Sequence, residues 1–281
     1  MGGRKNELDP SESPGSLFGG MLRHYRELRE LSQPQLAAKV PCDASFISKV
    51  ESGTRPPKED FAATCDAILR TGGALAYLMP YVKKRLELVF PEGFVDYVAE
   101  EARATELRIF ETTYMPGLLQ TPAYARALLS AVGIQRDDDI DTVEERLALR
   151  LDRQQIITAE TPAFVFAVID ESVLRRPVGG PVVMREQLDH LLTTADRPNV
   201  ALQVAPTALG ERAPLGAPLT LLTLPDSSVV GYAESLRRGW LERDKAVVGP
   251  WQRQYALLQV AALSQVASMD LIRQVRQDLY S

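Results

Sequence analysis

The sequence has 281 residues, 45% of them hydrophobic, and is therefore long enough for two domains that each bury a core. Its formal net charge of -5 argues against a histone-like protein that holds nucleic acid by bulk positive charge. The two cysteines, Cys42 and Cys65, are too few for a disulfide framework or a four-cysteine zinc site.

The first residues are rich in glycine, proline and serine and show no apolar period, which predicts a disordered arm at 1–16. The arm lacks the apolar stretch of a secretory signal. No run of about 18 apolar residues follows it anywhere in the sequence. We therefore expect a cytoplasmic protein without membrane contact.

Residues 17–80 predict a bundle of short helices, because helix start and stop patterns recur at short intervals. Ser32 and Gln35 form a capping-box pattern, so a helix should begin at Gln33. Asp43 provides the next N-cap. The sequence thus predicts two consecutive short helices joined by a brief turn.

The second of these helices, predicted at 44–51, has two different sides. Ile47 and Val50 fall on the side that should be buried, whereas the opposite side carries small and polar residues. Gly53 is placed to end the helix. This arrangement is the geometry that puts a recognition helix into the major groove of DNA.

Eight residues of segment 31–57 form a specific pattern, namely Gln33, Leu36, Ala37, Ile47, Ser48, Glu51, Ser52 and Gly53. Apolar positions before and after it are Phe18, Leu22, Tyr25, Phe61, Cys65, Ile68 and Leu69. Together these residues resemble the Cro/repressor (XRE) family of helix-turn-helix regulators. The resemblance implies a helix-turn-helix DNA-binding domain, in which the first three of these apolar positions belong to the first helix and the last four to the fourth.

The resemblance also implies roles for individual residues. The implied base-edge readers are Ala44, Ser45 and Lys49, with Asp43 and Ser48 close by. The implied phosphate contacts are Gln33, Ser52 and Arg55. In these roles, the lysine donates to guanine O6 and N7, and the alanine methyl group contacts thymine.

Arg23, Arg26 and Arg29 recur every three residues on the first helix. They can add phosphate contacts, or they can form ordinary solvated ion pairs with the interleaved Glu27 and Glu30. The sequence favours the ion pairs, because these pairs need no partner outside the helix.

Two positions depart from the family pattern. Glu30 and Pro41 stand where the family often has glycine, which permits a positive φ. Proline cannot adopt a positive φ, so we expect the turn 40–42 to take another path.

After the bundle, Pro80 and Pro91 bracket an amphipathic segment, which predicts a connector helix at 81–92. The remaining residues, 93–281, form the C-terminal domain. Its predicted helices are 93–110, 121–132, 144–159 (after a Thr142 capping box), 181–195, 244–263 and 264–279. Its predicted strands are 163–169, 200–204, 219–224 and 229–233. The sequence therefore predicts an α+β fold, with a helix-turn-helix bundle followed by a mostly helical domain around a small mixed β-sheet.

Several phrases of this domain form a second resemblance. They are MPGLLQT at 115–121, YARAL at 124–128, DE at 170–171, LRRPVGG at 174–180 and LQV at 202–204. They are similar to actinobacterial regulators that carry an uncharacterised domain behind the helix-turn-helix, the WhiJ-like or antitoxin-like regulators. Those regulators often lie beside genes for small proteins, so the resemblance implies a small partner protein encoded nearby.

The sequence predicts neither catalysis nor a bound metal or cofactor. His24 and His190 have no cysteine or acidic residue at metal-ligand spacing. The pair Gly179-Gly180 lacks the companions of a phosphate-binding loop. An enzyme fused to a DNA-binding module is therefore the least favoured class.

A polar ligand pocket is a further hypothesis for the C-terminal domain. Its proposed residues are Glu171, Arg175, Gln203, Tyr232 and Glu234, which we expect to converge at one edge of the sheet. The alternative, which the sequence favours, is that Glu171 and Arg175 form an ion pair within one helix.

The sequence as a whole predicts a sequence-specific transcriptional regulator that binds a double-stranded DNA operator as a homodimer. The C-terminal domain would bind a small-molecule effector or a partner protein. The alternative is an antitoxin-like interaction protein that sequesters a small partner protein and autoregulates its operon.

Overall fold

A computed structural model describes residues 10, 13–53, 55–57, 59–136, 140–235 and 238–280. The chain divides into two units, the first ending at Phe90 and the second beginning at Pro91. Most of the predicted disordered arm, 1–9 and 11–12, lies outside the described residues.

Within its described residues, the first unit forms five helices. They are Pro14–Leu28 (α1), Gln33–Ala37 (α2), Ala44–Glu51 (α3), Glu59–Leu69 (α4) and Ala74–Val89 (α5). Helix α5 runs through Pro80, so residues 81–89 of the expected connector continue a helix that begins at Ala74.

The predicted starts of α2 and α3 are confirmed. The Ser32 side chain accepts a hydrogen bond from the backbone N–H of Gln35, and the Gln35 side chain accepts one from the N–H of Ser32. Asp43 Oδ1 accepts from the N–H of Phe46 at 2.6 Å. These bonds satisfy backbone donors that a helix leaves unpaired at its first turn, and so fix where each helix begins.

The two departures from the family pattern have different outcomes. Glu30 adopts a φ of 54°, so the backbone keeps the left-handed conformation that glycine would favour there. At Pro41 the chain turns differently, since the N–H of Cys42 donates to the Val40 carbonyl oxygen at 2.8 Å. This two-residue bond closes a tight turn that proline tolerates.

The core of the first unit is apolar and draws on all five helices. Its fully buried side chains include Phe18, Leu22, Leu36, Ile47, Val50, Cys65, Leu69 and Leu75. The burial of Cys65 raises the pKa of its thiol to about 12, as expected for a cysteine that packs as a small hydrophobic side chain.

Within its described residues, the second unit combines eight helices, two 3₁₀ turns and six strands. The helices are Phe94–Glu101 (α6), Pro122–Arg136 (α7), Ile140–Arg153 (α8), Gln155–Thr158 (α9), Glu171–Arg175 (α10), Pro181–Ala195 (α11), Lys245–Ala261 (α12) and Gln265–Tyr280 (α13). The strands are Glu106–Glu111 (β1), Phe164–Asp170 (β2), Val200–Ala205 (β3), Leu219–Thr223 (β4), Val229–Glu234 (β5) and Gly239–Glu242 (β6). The 3₁₀ turns are Gly117–Leu119 and Thr207–Arg212.

The α+β class is confirmed, but the expectation of a small sheet is wrong. The predicted helix 93–110 is two elements, because α6 ends at Glu101 and β1 follows. Strand β6 was not predicted either. The predicted cap at Thr142 also differs, since α8 already begins at Ile140.

The six strands form one mixed sheet in the order β3-β2-β1-β4-β5-β6. Strands β1, β2 and β3 are parallel, whereas β4, β5 and β6 each run antiparallel to the strand before them in that order. Strand β5 therefore points the same way as β1. The carboxyl ends of β1, β2, β3 and β5 all meet the same edge of the sheet.

Both faces of the sheet are covered. One face packs against helices that include α7, α11 and α13, through residues such as Tyr124, Leu188 and Ile272. The other face packs against α12, through Tyr255 and Leu258.

Among the described helices, none is by itself long and apolar enough to cross a membrane, although the pair α12 and α13, bent by 69°, meets both criteria when taken together.

Candidate nucleic-acid interface

Helix α3 has one flank open to solvent and one flank in the core. The side chains on the open flank are the exposed Ser45 and Ser48 and the half-buried Ala44 and Lys49. On the other flank, Ile47 is 0% exposed and Val50 is 1% exposed. A polar flank on a helix whose back is anchored is the arrangement that a recognition helix requires.

Glu51, the last residue of α3, is fully buried and holds three helices together. The Arg26 Nε and Nη2 atoms of α1 donate to its carboxylate at 2.5 and 2.8 Å. The Gln33 Nε2 atom of α2 donates to the same carboxylate at 2.8 Å. The hydrogen bond to Glu51 raises the pKa of Arg26 above its ordinary value. The position of α3 is therefore set by a bidentate ion pair and an amide hydrogen bond.

Arg23 of α1 and Arg29, the residue that caps the end of α1, also join helices. Arg23 Nη2 donates to the Glu51 carbonyl oxygen at 3.1 Å, and Arg29 Nε donates to the Leu69 carbonyl oxygen at 2.8 Å. The sequence pattern favours ordinary solvated pairs for these arginines and does not indicate their structural partners. Glu51 follows Ile47 by four residues and so shares its buried side, which is the pattern that could have shown the need for a cation.

Helices α1 and α3 cross at a glycine. A Cβ atom at Gly19 would collide with the carbonyl oxygen of Val50. The absent side chain thus lets the two backbones approach closely.

The carboxyl end of α3 carries two of the predicted phosphate contacts. Ser52 Oγ donates to the Lys49 carbonyl oxygen at 3.1 Å, and the N–H of Arg55 donates to the same oxygen at 3.2 Å. The Arg55 guanidinium lies over the Phe46 ring, 5.1 Å from its centroid. Both side chains are therefore held beside the end of the helix.

Comparison with known families divides the chain near the boundary between the two units. Residues 17–78 match a helix-turn-helix domain. Residues 94–274, more than half of the chain, match a family described as a domain of unknown function (DUF5753). The chain belongs to the DUF5753 family. No curated protein and no solved structure matches it significantly. The helix-turn-helix match indicates a DNA-binding regulator.

The DUF5753 domain does not bring the five predicted pocket residues together. Arg175 Nη2 lies 2.7 Å from Glu171 Oε1 within α10, and Glu171 Oε2 accepts from the N–H of Thr207 at 3.0 Å. The ion pair within one helix, which the sequence favoured, is therefore present.

The other three residues lie on different strands of the DUF5753 sheet. Gln203 Nε2 donates to the Leu263 carbonyl oxygen at 2.8 Å, beside edge strand β3. Tyr232 donates to Glu234 Oε2 at 2.5 Å on β5. Three strands lie between β3 and β5, so these groups are about 19 Å apart at a spacing of about 4.8 Å per strand. The sequence does not indicate the order of the strands, so it could not show that these residues are spread along the sheet rather than gathered in one pocket.

Among the described residues, no group of three or more His, Cys, Asp or Glu side chains is arranged to hold a metal ion.

Proposed function

We propose that this protein is a sequence-specific transcriptional regulator that inserts α3 into the major groove of operator DNA. One observation carries the proposal: the polar flank of α3 is open to solvent while Glu51 and the apolar core anchor the opposite flank. Anchoring keeps the flank in one orientation, which base-specific hydrogen bonds require.

We assign two kinds of DNA contact to residues on and near α3. The base-edge readers are Ala44, Ser45 and Lys49, with Asp43 and Ser48 beside them. The phosphate contacts are Gln33, Ser52 and Arg55. The Gln33 amide has two N–H groups, of which one is used by Glu51, so the other supports a contact with phosphate.

The finer features of the proposal come from the two resemblances. The helix-turn-helix domain belongs in the XRE class, and the whole chain in the WhiJ-like, antitoxin-like group of actinobacterial regulators, acting in the cytoplasm. We propose a homodimer on a pseudo-palindromic operator, because one module of this size buries little DNA surface. The DUF5753 domain supplies dimerisation and binds an effector or a partner protein. An effector changes operator occupancy only if it binds two conformations with different affinity.

The test is a binding-site selection from a random DNA library with the full chain. The proposal predicts enrichment of one motif, and loss of that enrichment when Ser45 and Lys49 are both changed to alanine. The matched control is Lys83→Ala on the exposed side of α5, which should select the wild-type motif. A library that stays random, or the same motif from all three proteins, contradicts the proposal.

The antitoxin-like alternative predicts a different result. A small protein from a neighbouring gene would then co-purify with the chain in a fixed ratio, and the selected motif would lie in the promoter of that gene pair. A motif spread over many unrelated promoters argues against this alternative.

A further inference from the structure

Strand β1, one of the two central strands of the DUF5753 sheet, ends in the carboxylate of Glu111. Leu107 and Ile109 face the main core, and side chains alternate along a strand, so Glu111 faces the same side. Among the described residues, no group donates a hydrogen bond to the Glu111 carboxylate or forms an ion pair with it. This half-buried carboxylate is therefore available to a group from outside the chain.

Helix α8 carries an arginine, Arg150, that likewise lacks an ion-pair partner among the described residues. Arg150 Nη1 donates to Gln120 Oε1 at 2.8 Å, and no carboxylate in the described part of the chain pairs with its guanidinium. The neighbouring Arg153 is different, because it donates to Glu101 at 2.6 and 2.8 Å. The charge of Arg153 is thus neutralised, whereas that of Arg150 is not.

A second carboxylate lies beside Glu111 on the same face. Continuing the registers of β1 with β4 and of β4 with β5 places Glu111 and Glu234 in one rank across the sheet. They are two strands apart, which is about 10 Å. Tyr232 holds Glu234 through the 2.5 Å hydrogen bond, and its ring stacks on Tyr97 with the centroids 4.0 Å apart.

Helix α8 reaches this part of the sheet, since the guanidinium of its Arg153 lies 5.5 Å from the ring centroid of Tyr97, the ring that stacks on Tyr232. Arg150 is one turn away on the same helix.

The electrostatics agree with this placement. Burial, and then the charge of Glu234, raise the pKa of Glu111 to about 7, although Arg150 and Arg153 oppose the shift. Burial, and then the charge of Arg153, lower the pKa of Arg150 to about 10. The charges of Glu111 and Arg150 therefore shift each other's pKa, although no ion pair joins the two side chains.

The cluster of Glu111, Glu234 and Arg150 lies near the carboxyl end of β1. Ligands bind at such ends in many sheets with parallel strands. Strand β1 has the parallel β2 on one side and β4, which enters later in the chain, on the other. The order of the strands thus reverses direction at β1, and Glu111 stands at its carboxyl end. Crevices at such reversal points are common binding sites. Thr112, Thr113 and Tyr114 follow directly and are half-buried, so this segment is partly exposed to solvent.

We propose that the DUF5753 domain binds a small zwitterion of the amino-acid type, with its carboxylate on Arg150 and its ammonium group between Glu111 and Glu234. This inference rests on the proposed function, in which this domain binds an effector. A zwitterion supplies both missing counterions at once. A simple anion would leave Glu111 unpaired, and a simple cation would leave Arg150 unpaired.

Binding to the full chain tests the inference. The chain is titrated with each of the common L-amino acids by thermal shift, and the strongest binder is measured by calorimetry beside its analogue without the amine and its analogue without the carboxylate. We expect one bound molecule per chain and about tenfold or greater weakening for each analogue. Glu111→Gln and Arg150→Lys should each weaken binding by about tenfold or more.

The matched controls are Glu106→Gln and Arg108→Lys, an ion pair on the same strand that faces the other side of the sheet. They should leave the affinity unchanged. The inference is overturned if no amino acid binds, if either analogue binds as well as the zwitterion, or if Glu111→Gln and Arg150→Lys act no more strongly than the controls. The titration contains no DNA, so its failure would leave operator binding by α3 standing, and the reverse holds too.

Discussion

Among single residues, Glu51 in the first unit and Glu111 in the second differ in whether their carboxylates have hydrogen-bond donors. Glu51 is fully buried and has strong donors on α1 and α2. Glu111 is half-buried and has no such donor among the described residues. The first carboxylate stabilises a helix position, and we propose that the second belongs to a site for a ligand.

Removing the cation from Glu51 should destabilise the helix-turn-helix unit strongly. Arg26→Ala leaves a buried carboxylate without its ion pair, which typically costs about 3–5 kcal/mol. Hydrogen exchange of the α3 amides under native conditions measures the loss locally. Arg23→Ala is the control, since its side chain is 31% exposed and Glu51 keeps Arg26, so we expect a loss below about 1 kcal/mol. Equal losses in the two variants would contradict the role given to Glu51.

Glu111 predicts a pH-dependent stability. Its pKa is raised from 4.5 to about 7 by burial and by Glu234 on β5, against the opposing charges of Arg150 and Arg153 on α8. Between these values the folded chain binds more protons than the unfolded chain, so this group lowers stability as the pH rises through that range.

Glu111→Gln removes that ionisation. By scanning calorimetry, its melting temperature should exceed that of the wild type by about 3 °C or more near pH 8, and the difference should fall toward zero near pH 5. A difference that does not change with pH would refute the raised pKa.

At the scale of elements, the placement of α3 depends on how closely it approaches α1. Gly19 permits the contact because it has no side chain to meet the Val50 carbonyl oxygen. The polar flank of α3 is therefore oriented by the backbone contact as well as by Glu51.

A methyl group at Gly19 should push α3 away from α1. Gly19→Ala is expected to destabilise the first unit by about 1–3 kcal/mol and to weaken DNA binding. Gly15→Ala in the same helix is the control. Its added Cβ meets only Ser13 Oγ, at an ordinary 3.6 Å, so the better helix propensity of alanine should leave stability equal or improved. Urea denaturation of both variants measures the difference, and a stable Gly19→Ala protein would show that the close contact is dispensable.

The sequence predicts those features that depend on residues close together in the chain. The starts of α2 and α3 follow from caps within three residues, and both were predicted. Strand β1 alternates Leu107 and Ile109 with charged neighbours over a short stretch that directly follows a helix, so the sequence pattern predicts a longer helix there. The partners of Glu51 and the separation of Gln203 from Tyr232 depend on which elements become neighbours in space, and no local pattern shows that.

At the scale of the whole molecule, the chain combines a helix-turn-helix unit with a DUF5753 unit, and the proposal assigns DNA reading to the first and effector binding to the second. The units are separate in their cores. In this proposal, an effector can regulate operator binding only if its binding free energy differs between two states of the proposed dimer.

A homodimer would require a defined spacing between the two half-sites of the operator. Two half-sites should lie about 10 base pairs apart, or a multiple of that, so that both copies of α3 face the same side of the duplex. Inserting about half a helical turn between the half-sites should abolish tight binding in a mobility-shift assay, and a full turn should restore part of it. Affinity that ignores the insertion would indicate that each chain binds alone.

The most direct test of α3 as the reading element compares two DNA sequences and two lysines. On the selected operator, Lys49→Ala should weaken binding by about 1–3 kcal/mol, whereas on a scrambled duplex of the same length it should bind nearly as well as the wild type. Lys83→Ala should bind both duplexes normally. If Lys49→Ala instead loses the same amount on both duplexes, or nothing on either, then α3 does not read the operator through this flank.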